Sequence, residues 1–461
     1  MVFSSLNFLF LFLPAVLLAH TLVPMRFKNI VLLAASIFFY AWGEPVYVVL
    51  MVLNIAFSYT VGLQIESRKQ KWARKRSLVF GIVINLLMLG FFKYYGFAVD
   101  TFNAVFHAEL PKRTLSLPVG ISFYTFQTLS YLIDVYRGEV GAQKSLINFA
   151  TYITMFPQLV AGPIVKYTDI RGQLENRRVT WNNAGRGVER IVCGLAKKVL
   201  LANNLGLLYS GIQTAAQRSV LTAWLGAAAY ALQIYFDFSG YSDMAIGMGK
   251  LLGFDFIENF DHPYVSKSIT EFWRRWHISL SSWFRDYVYI PLGGSRTEPW
   301  KHLRNLLAVW LLTGLWHGAS WNFVLWGLYH GVLLILEKTV FAPTLKKMSA
   351  AASRALTLLL VTIGWVIFSN TDLSAMTGYL GSLIGIGASG FWDKTFRFLL
   401  TNNLVLIVLA VAACLPSLKT WFIRRTSRYP VLSGVCMVAL FLLVVASLIF
   451  GSYNPFLYFR F

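Results

Sequence analysis

The stretch Leu311-Leu312-Thr313-Gly314-Leu315-Trp316-His317-Gly318-Ala319-Ser320-Trp321-Asn322-Phe323 sets a titratable imidazole inside an apolar run. No Asp, Glu, Lys or Arg occurs between Arg304 and Glu337. A histidine at membrane depth is costly and marks a functional site by default. Its ordinary pKa, near ~6.5, suits proton transfer at neutral pH. Gly314 and Gly318 flank it and permit close approach by a substrate or another backbone. Taken alone, the run also allows a histidine that is hydrogen-bonded between helices.

The composition around this run is that of a membrane protein. The 461 residues are 57% hydrophobic and only 13% charged, with a mean hydropathy of +0.58. A soluble domain carries about 25% charged residues. Charges gather in short clusters between apolar stretches, and no long soluble segment is present. The net charge of +21 comes from basic residues at segment ends, where the positive-inside bias puts them, rather than from one basic stripe. Nucleic-acid binding is therefore set aside. Cys193, Cys414 and Cys436 lack disulfide or zinc spacing, and no metal site is expected.

Apolar segments at 5–24, 29–43, 45–65, 78–97, 118–136, 146–165, 191–211, 219–236, 303–316, 320–336, 355–369, 374–388, 399–416 and 431–452 predict an all-α polytopic protein with about eleven crossings. The whole chain, 1–461, reads as one membrane domain. Arg26 and Lys28 follow the first apolar run, which places the N-terminus outside. The basic loop from Arg68 to Arg76 agrees with that orientation. Segment 118–136 carries Ser, Thr, Gln and Asp134, so it lines protein or water rather than lipid. Segment 146–165, with Pro157, Gly162 and Pro163, reads as a broken helix.

The middle, 237–300, is different. Asp237, Ser239, Tyr241 and Asp243 either line a polar tunnel or form a structural network. In 272–287, at about 100° per residue, Trp273, Trp276, Leu280, Trp283, Phe284 and Tyr287 share one face, which predicts an amphipathic interfacial helix with a tryptophan belt. His277 falls at its boundary, either as an interfacial histidine or as a contact to an acyl donor. Arg274, Arg275 and Arg285 could attract the phosphates of coenzyme A or an acidic carrier protein.

These blocks together resemble the membrane-bound O-acyltransferase superfamily, in its bacterial alginate-acetylation subgroup, with teichoic-acid D-alanyl transfer proteins as relatives. The matching residues are Met1-Val-Phe-Ser-Ser5, Leu117-Pro-Val-Gly-Ile-Ser-Phe-Tyr-Thr-Phe-Gln127, Phe156-Pro-Gln-Leu-Val-Ala-Gly-Pro163, Phe236-Asp-Phe-Ser-Gly-Tyr241, Phe272-Trp-Arg-Arg-Trp-His277 and Leu315-Trp-His-Gly318. The resemblance implies a ring of membrane helices around a thin centre, with a funnel on each face. It implies His317 as the catalytic residue and His277 as a second signature histidine. It further implies no bound cofactor, acetyl-CoA as donor (or an acyl carrier protein), an extracellular SGNH-type partner, and a place in the bacterial inner membrane.

Acyl transfer needs a base for an acceptor hydroxyl and donors for an oxyanion. His317 can be the base, and Trp316, Asn322 and backbone N–H groups are candidate donors. By the same resemblance, Tyr458 in the terminal Asn454-Pro-Phe-Leu-Tyr-Phe-Arg-Phe461 is a candidate acyl relay; an aromatic membrane anchor is the plainer alternative. D-alanyl transfer from a carrier protein to teichoic acid, and a polytopic transporter without chemistry, remain the competing functions.

Overall fold

The computed structural model describes residues 1–113, 115–160, 162–215 and 217–451. Among these the architecture is helical throughout. The one sheet-like pairing is an isolated antiparallel bridge between Phe260 and Trp276. Six helices are long and apolar enough to cross a membrane: Met25–Gly43, Tyr47–Ser67, Lys71–Phe106, Trp181–Gln213, Ala350–Ser369 and Val431–Phe450. A seventh span arises if Lys394–Asn402 and Leu404–Ala413, bent by 62°, count as one.

Burial in protein accounts for the hydropathy of one further apolar segment. Ile121–Arg137 is buried along almost its whole length, and even its Thr, Ser and Gln side chains are inside. The segment expected at 374–388 forms only the 11-residue helix Leu373–Leu383. At 1.5 Å per residue that is about 16 Å, half of a hydrocarbon core. Gly385 and Gly387, both at positive φ, follow it.

The chain divides into two compact units. The first comprises Met1–Ile191 and Tyr241–Glu258. Its core is an aromatic cluster in which the Phe3 and Phe8 rings lie 4.9 Å apart and Phe12 meets Phe156 at 5.3 Å. The expected break in 146–165 falls at Met155, between Leu146–Thr154 and Phe156–Leu159. Gly120, at φ 76°, allows the close approach there, since a Cβ would stand 2.7 Å from the Leu159 carbonyl oxygen. Arg177 is the buried polar hub of this unit. It donates to the Leu252 carbonyl at 3.0 Å and to Asn29 Oδ1 at 2.7 Å. A guanidinium shared among such acceptors can be buried because each of its nitrogens has a partner within hydrogen-bond distance.

The second unit comprises Val192–Gly240 and Asn259–Phe461. Two of its helices, Pro299–His317 and Trp321–Thr339, form a tight hairpin. Their glycines set the distance. A Cβ on Gly314 would lie 2.3 Å from the Phe323 carbonyl oxygen, and one on Gly327 would lie 2.4 Å from that of Trp310. Small residues allow such backbone contact between membrane helices. A second close crossing brings Gly240 against the Gly194 carbonyl. Beside it, Lys198 and Asp237 form an ion pair at 2.5 Å, with side chains only 5% and 2% exposed.

The amphipathic helix expected over 272–287 is instead two helices. Ile269–Arg275 stops, Trp276 is extended at φ −103° and ψ 129°, and His277 turns left-handed at φ 45° before Ile278–Phe284 begins. Nor is there a lipid-facing tryptophan belt: Trp273, Trp276 and Trp283 are all buried. The periodicity is real, but the face it marks packs against aromatic side chains of the same unit. Tertiary contacts take the backbone hydrogen bonds that a continuous helix would use.

Two consequences can be measured by thermal unfolding in detergent. Gly327→Ala should lose about 1–3 kcal/mol by overpacking, whereas Gly378→Ala, whose Cβ meets nothing within 4 Å, should not destabilise. Asp237→Asn removes the carboxylate paired with buried Lys198 and should cost about 3–5 kcal/mol. Adding Lys198→Met should recover most of that loss.

Candidate active site

His317 is the last residue of the Pro299–His317 helix and is 6% exposed. Its ring lies in an aromatic box. Trp316, Trp326 and Phe368 approach it nearly edge-on, with centroids at 5.0, 5.0 and 5.2 Å. Trp326 and Phe368 also pack on each other at 5.2 Å, so the box is closed by its own walls. Gly318 lets Phe323 approach, since a Cβ there would stand 2.2 Å from that ring. Phe323 in turn packs on Phe368 at 4.9 Å.

His277 belongs to the same unit and reaches the same tryptophan. The Trp316 ring is 5.0 Å from His317 and 5.9 Å from His277. His277 is 1% exposed, so it is a core histidine rather than an interfacial one. Phe238 stands perpendicular to its ring at 4.6 Å. This stretch lies outside the six spans. Burial pushes the imidazole down to about 3, because the apolar surroundings penalise the cation. The ring is therefore neutral at physiological pH.

The backbone around His277 is clamped by Asn259. The Asn259 carbonyl accepts from Ile278 N at 3.0 Å, and Asp261 N donates to the Arg275 carbonyl at 2.9 Å. Asn259 Oδ1 accepts from Ser279 N at 3.2 Å and from Ser279 Oγ at 2.9 Å, and it lies 3.1 Å from His277 Nδ1. At the other end of the Ile269–Arg275 helix, the Glu337 carboxylate accepts from Ile269 N at 2.6 Å and Thr270 N at 3.1 Å. Sequence reasoning missed both Asn259 and Glu337. Each looks like an ordinary polar residue, and their partners lie 20 and 68 residues away.

The remaining sequence candidates separate. Asn322 is fully buried, and its amide donates to the Phe368 carbonyl at 2.9 Å. That donor is engaged, and it holds the end of the segment that carries Phe368 against His317. Arg275 is paired with Asp261 at 3.0 Å and Glu271 at 3.1 Å. Arg274 is exposed and within electrostatic reach of Lys338. Asp237 is joined to Lys198, and Ser239 is buried on the same helix with a hydroxyl that bonds no described protein group. His330, on the Trp321–Thr339 helix, accepts from Trp273 Nε1 at 3.3 Å. Tyr458 lies outside the described residues. No group of three or more His, Cys, Asp or Glu that could hold a metal ion occurs among the described residues.

Two buried imidazoles beside one tryptophan, in an aromatic setting, suit chemistry that moves a proton from a hydroxyl. Comparison with known proteins points the same way. Residues 46–379 match the model of the membrane-bound O-acyltransferase family. The chain is 44% identical over 392 residues to the probable alginate O-acetylase of Azotobacter vinelandii, covering 84% of this chain and 79% of that protein. It is 39% identical to the probable alginate O-acetylase of Pseudomonas putida over the full length of both. It is 33% identical to the peptidoglycan O-acetyltransferase of Helicobacter pylori, covering 84% of this chain and 80% of that protein. A more distant likeness, 30% identity over 49% of this chain and 60% of the other, is to the teichoic acid D-alanyltransferase of Bacillus subtilis. The chain belongs to the membrane-bound O-acyltransferase family and is a multi-pass membrane O-acyltransferase.

Proposed function

We propose that this protein moves acetyl from cytosolic acetyl-CoA to the outer side of the bacterial inner membrane, for O-acetylation of an envelope polysaccharide. The relatives named for alginate and peptidoglycan O-acetylation support the acetyl group and the glycan class. The observation that carries the mechanism is Trp316, whose ring touches both buried histidines. In the proposed step His317 takes the proton of an acceptor hydroxyl as its oxygen attacks the thioester carbonyl carbon. The tetrahedral adduct collapses, the C–S bond breaks, and the departing thiolate takes the proton back from His317. The products are an O-acetyl ester and free coenzyme A.

His277 has a different part. A ring whose pKa is about 3 does not compete for that proton. As a neutral acceptor it can hold the incoming hydroxyl by a hydrogen bond. Arg274, exposed beside Lys338, is the better placed arginine to meet donor phosphates. Arg275, held by Asp261 and Glu271, supports the fold around His277. Trp316 and Asn322 shape the pocket wall. Tyr458 is the acceptor hydroxyl in this proposal and passes acetyl on to an extracellular SGNH-type partner, with the N-terminus outside.

The test is incubation of the purified chain with acetyl-labelled coenzyme A, followed by mapping of the label. The expected result is label on Tyr458 in the native chain and none in Tyr458→Phe. His317→Ala should lower coenzyme A release by about 10²–10⁴-fold, the usual contribution of a general base. A transporter without chemistry would release no coenzyme A. Label that is accepted only from a carrier protein would favour the D-alanyl type of reaction.

A further inference from the structure

We infer that Asn259 is a positioning residue that locks His277 in one tautomer, with the lone pair on Nε2 available to the substrate hydroxyl. The proposal rests on the acyl-transfer reading for its consequence, though not for its geometry.

The geometry starts from a group that cannot change its role. Ser279 N is a backbone donor, and it points at Asn259 Oδ1 from 3.2 Å. That contact fixes which end of the Asn259 amide is oxygen, since an NH₂ there would oppose N–H to N–H. The same Oδ1 lies 3.1 Å from His277 Nδ1. An unprotonated Nδ1 would set two acceptors against each other at that distance, so Nδ1 carries the hydrogen. Ser279 Oγ, 2.9 Å from Oδ1 and 3.4 Å from Nδ1, supports the same polarity as a second neighbour.

The other nitrogen follows. His277 Nε2 is buried and hydrogen-bonds no described protein group. A proton there would be a buried donor without an acceptor, which is disfavoured. With Nδ1–H given to Asn259, the neutral ring leaves Nε2 as a bare acceptor. The backbone holds this arrangement as well. His277 is left-handed at φ 45°, a conformation that non-glycine residues adopt only when the surroundings impose it. The Asn259 carbonyl imposes it through Ile278 N at 3.0 Å. One residue therefore fixes the position of the ring through its backbone and the protonation pattern of the ring through its side chain.

The decisive measurement is the ¹⁵N NMR spectrum of the full chain labelled at histidine, with His277 assigned by loss of its signals in His277→Gln. The expected signature is a pyridine-type Nε2 and a pyrrole-type Nδ1. A pyrrole-type Nε2 overturns the proposal without reference to any activity. Asn259→Leu should mix or invert the tautomers and lower the kcat of acetyl-CoA turnover by about 10²-fold, the scale of a misplaced reacting group, with KM for acetyl-CoA unchanged. Asn259→Asp keeps the oxygen acceptor and should recover at least tenfold of that loss. Asn259→Leu with native tautomer and native kcat overturns the proposal, and so does Asn259→Asp that is folded yet as slow as Asn259→Leu. If Asn259→Leu does not fold, the wild-type spectrum decides alone. A wild-type chain with the expected spectrum and no acetyl-CoA turnover overturns the donor reading and leaves the tautomer lock standing.

Discussion

Backbone hydrogen bonding is the constraint on which the rest of this structure depends. Polar backbone groups away from water must be paired, which makes helices the default and makes every internal helix end a problem to be solved. Both histidines sit at such ends. At His277 the freed groups are taken by the short bridge that pairs Asn259 and Asp261 with Arg275 and Ile278. Upstream, Glu337 accepts the first two amides of the Ile269–Arg275 helix, and Ser268 caps Glu271 N at 3.1 Å. At His317 the helix ends and the chain returns after three residues, along a crossing that only glycines permit. Each solution uses a different part of the unit, so the imidazoles are held by backbone rather than by flexible side chains.

Aromatic packing then sets the electrostatics. Tryptophan and phenylalanine rings pack against both buried imidazoles. In a dry setting charge is penalised and every fixed dipole acts more strongly. The buried Lys198–Asp237 pair obeys the same rule, because neither partner could be buried without the other. Neutral His277 needs no such partner: it is buried as the free base, the form that accepts a hydrogen bond.

Much of this was legible in the sequence because hydropathy and composition report burial directly. The break near Pro157 was readable, since proline and glycine act locally. So was the interior character of 118–136, whose polar residues disfavour lipid. His317 was visible because a lone titratable group in an apolar run is rare. The bend at His277 was not. A continuous helix over 272–287 satisfies the same periodicity, and what breaks it is a loop residue, Asn259, 18 residues away from His277. Glu337 was hidden for the same reason, as was the commitment of the Asn322 amide to the Phe368 carbonyl. Long-range polar contacts carry no period. Six helices, or seven with the bent pair, have the length and hydropathy to cross a membrane, beside about eleven expected crossings, and a buried helix such as Ile121–Arg137 looks as apolar in sequence as one in lipid.

The two histidines differ in kind, and the difference follows from their neighbours. His277 is bound at Nδ1 by an amide oxygen, which is neutral and cannot stabilise an imidazolium as a carboxylate would. Burial then depresses its basicity until it is an acceptor and little more. An aspartate at 259 would hold the same tautomer but raise the basicity of the ring, as acid–histidine couples do, so it would restore the lock without the full neutrality of the pair. An asparagine keeps the directional benefit of the contact without the charge. In the proposed mechanism one imidazole is confined to holding, and the proton transfer falls to His317, across a single tryptophan ring.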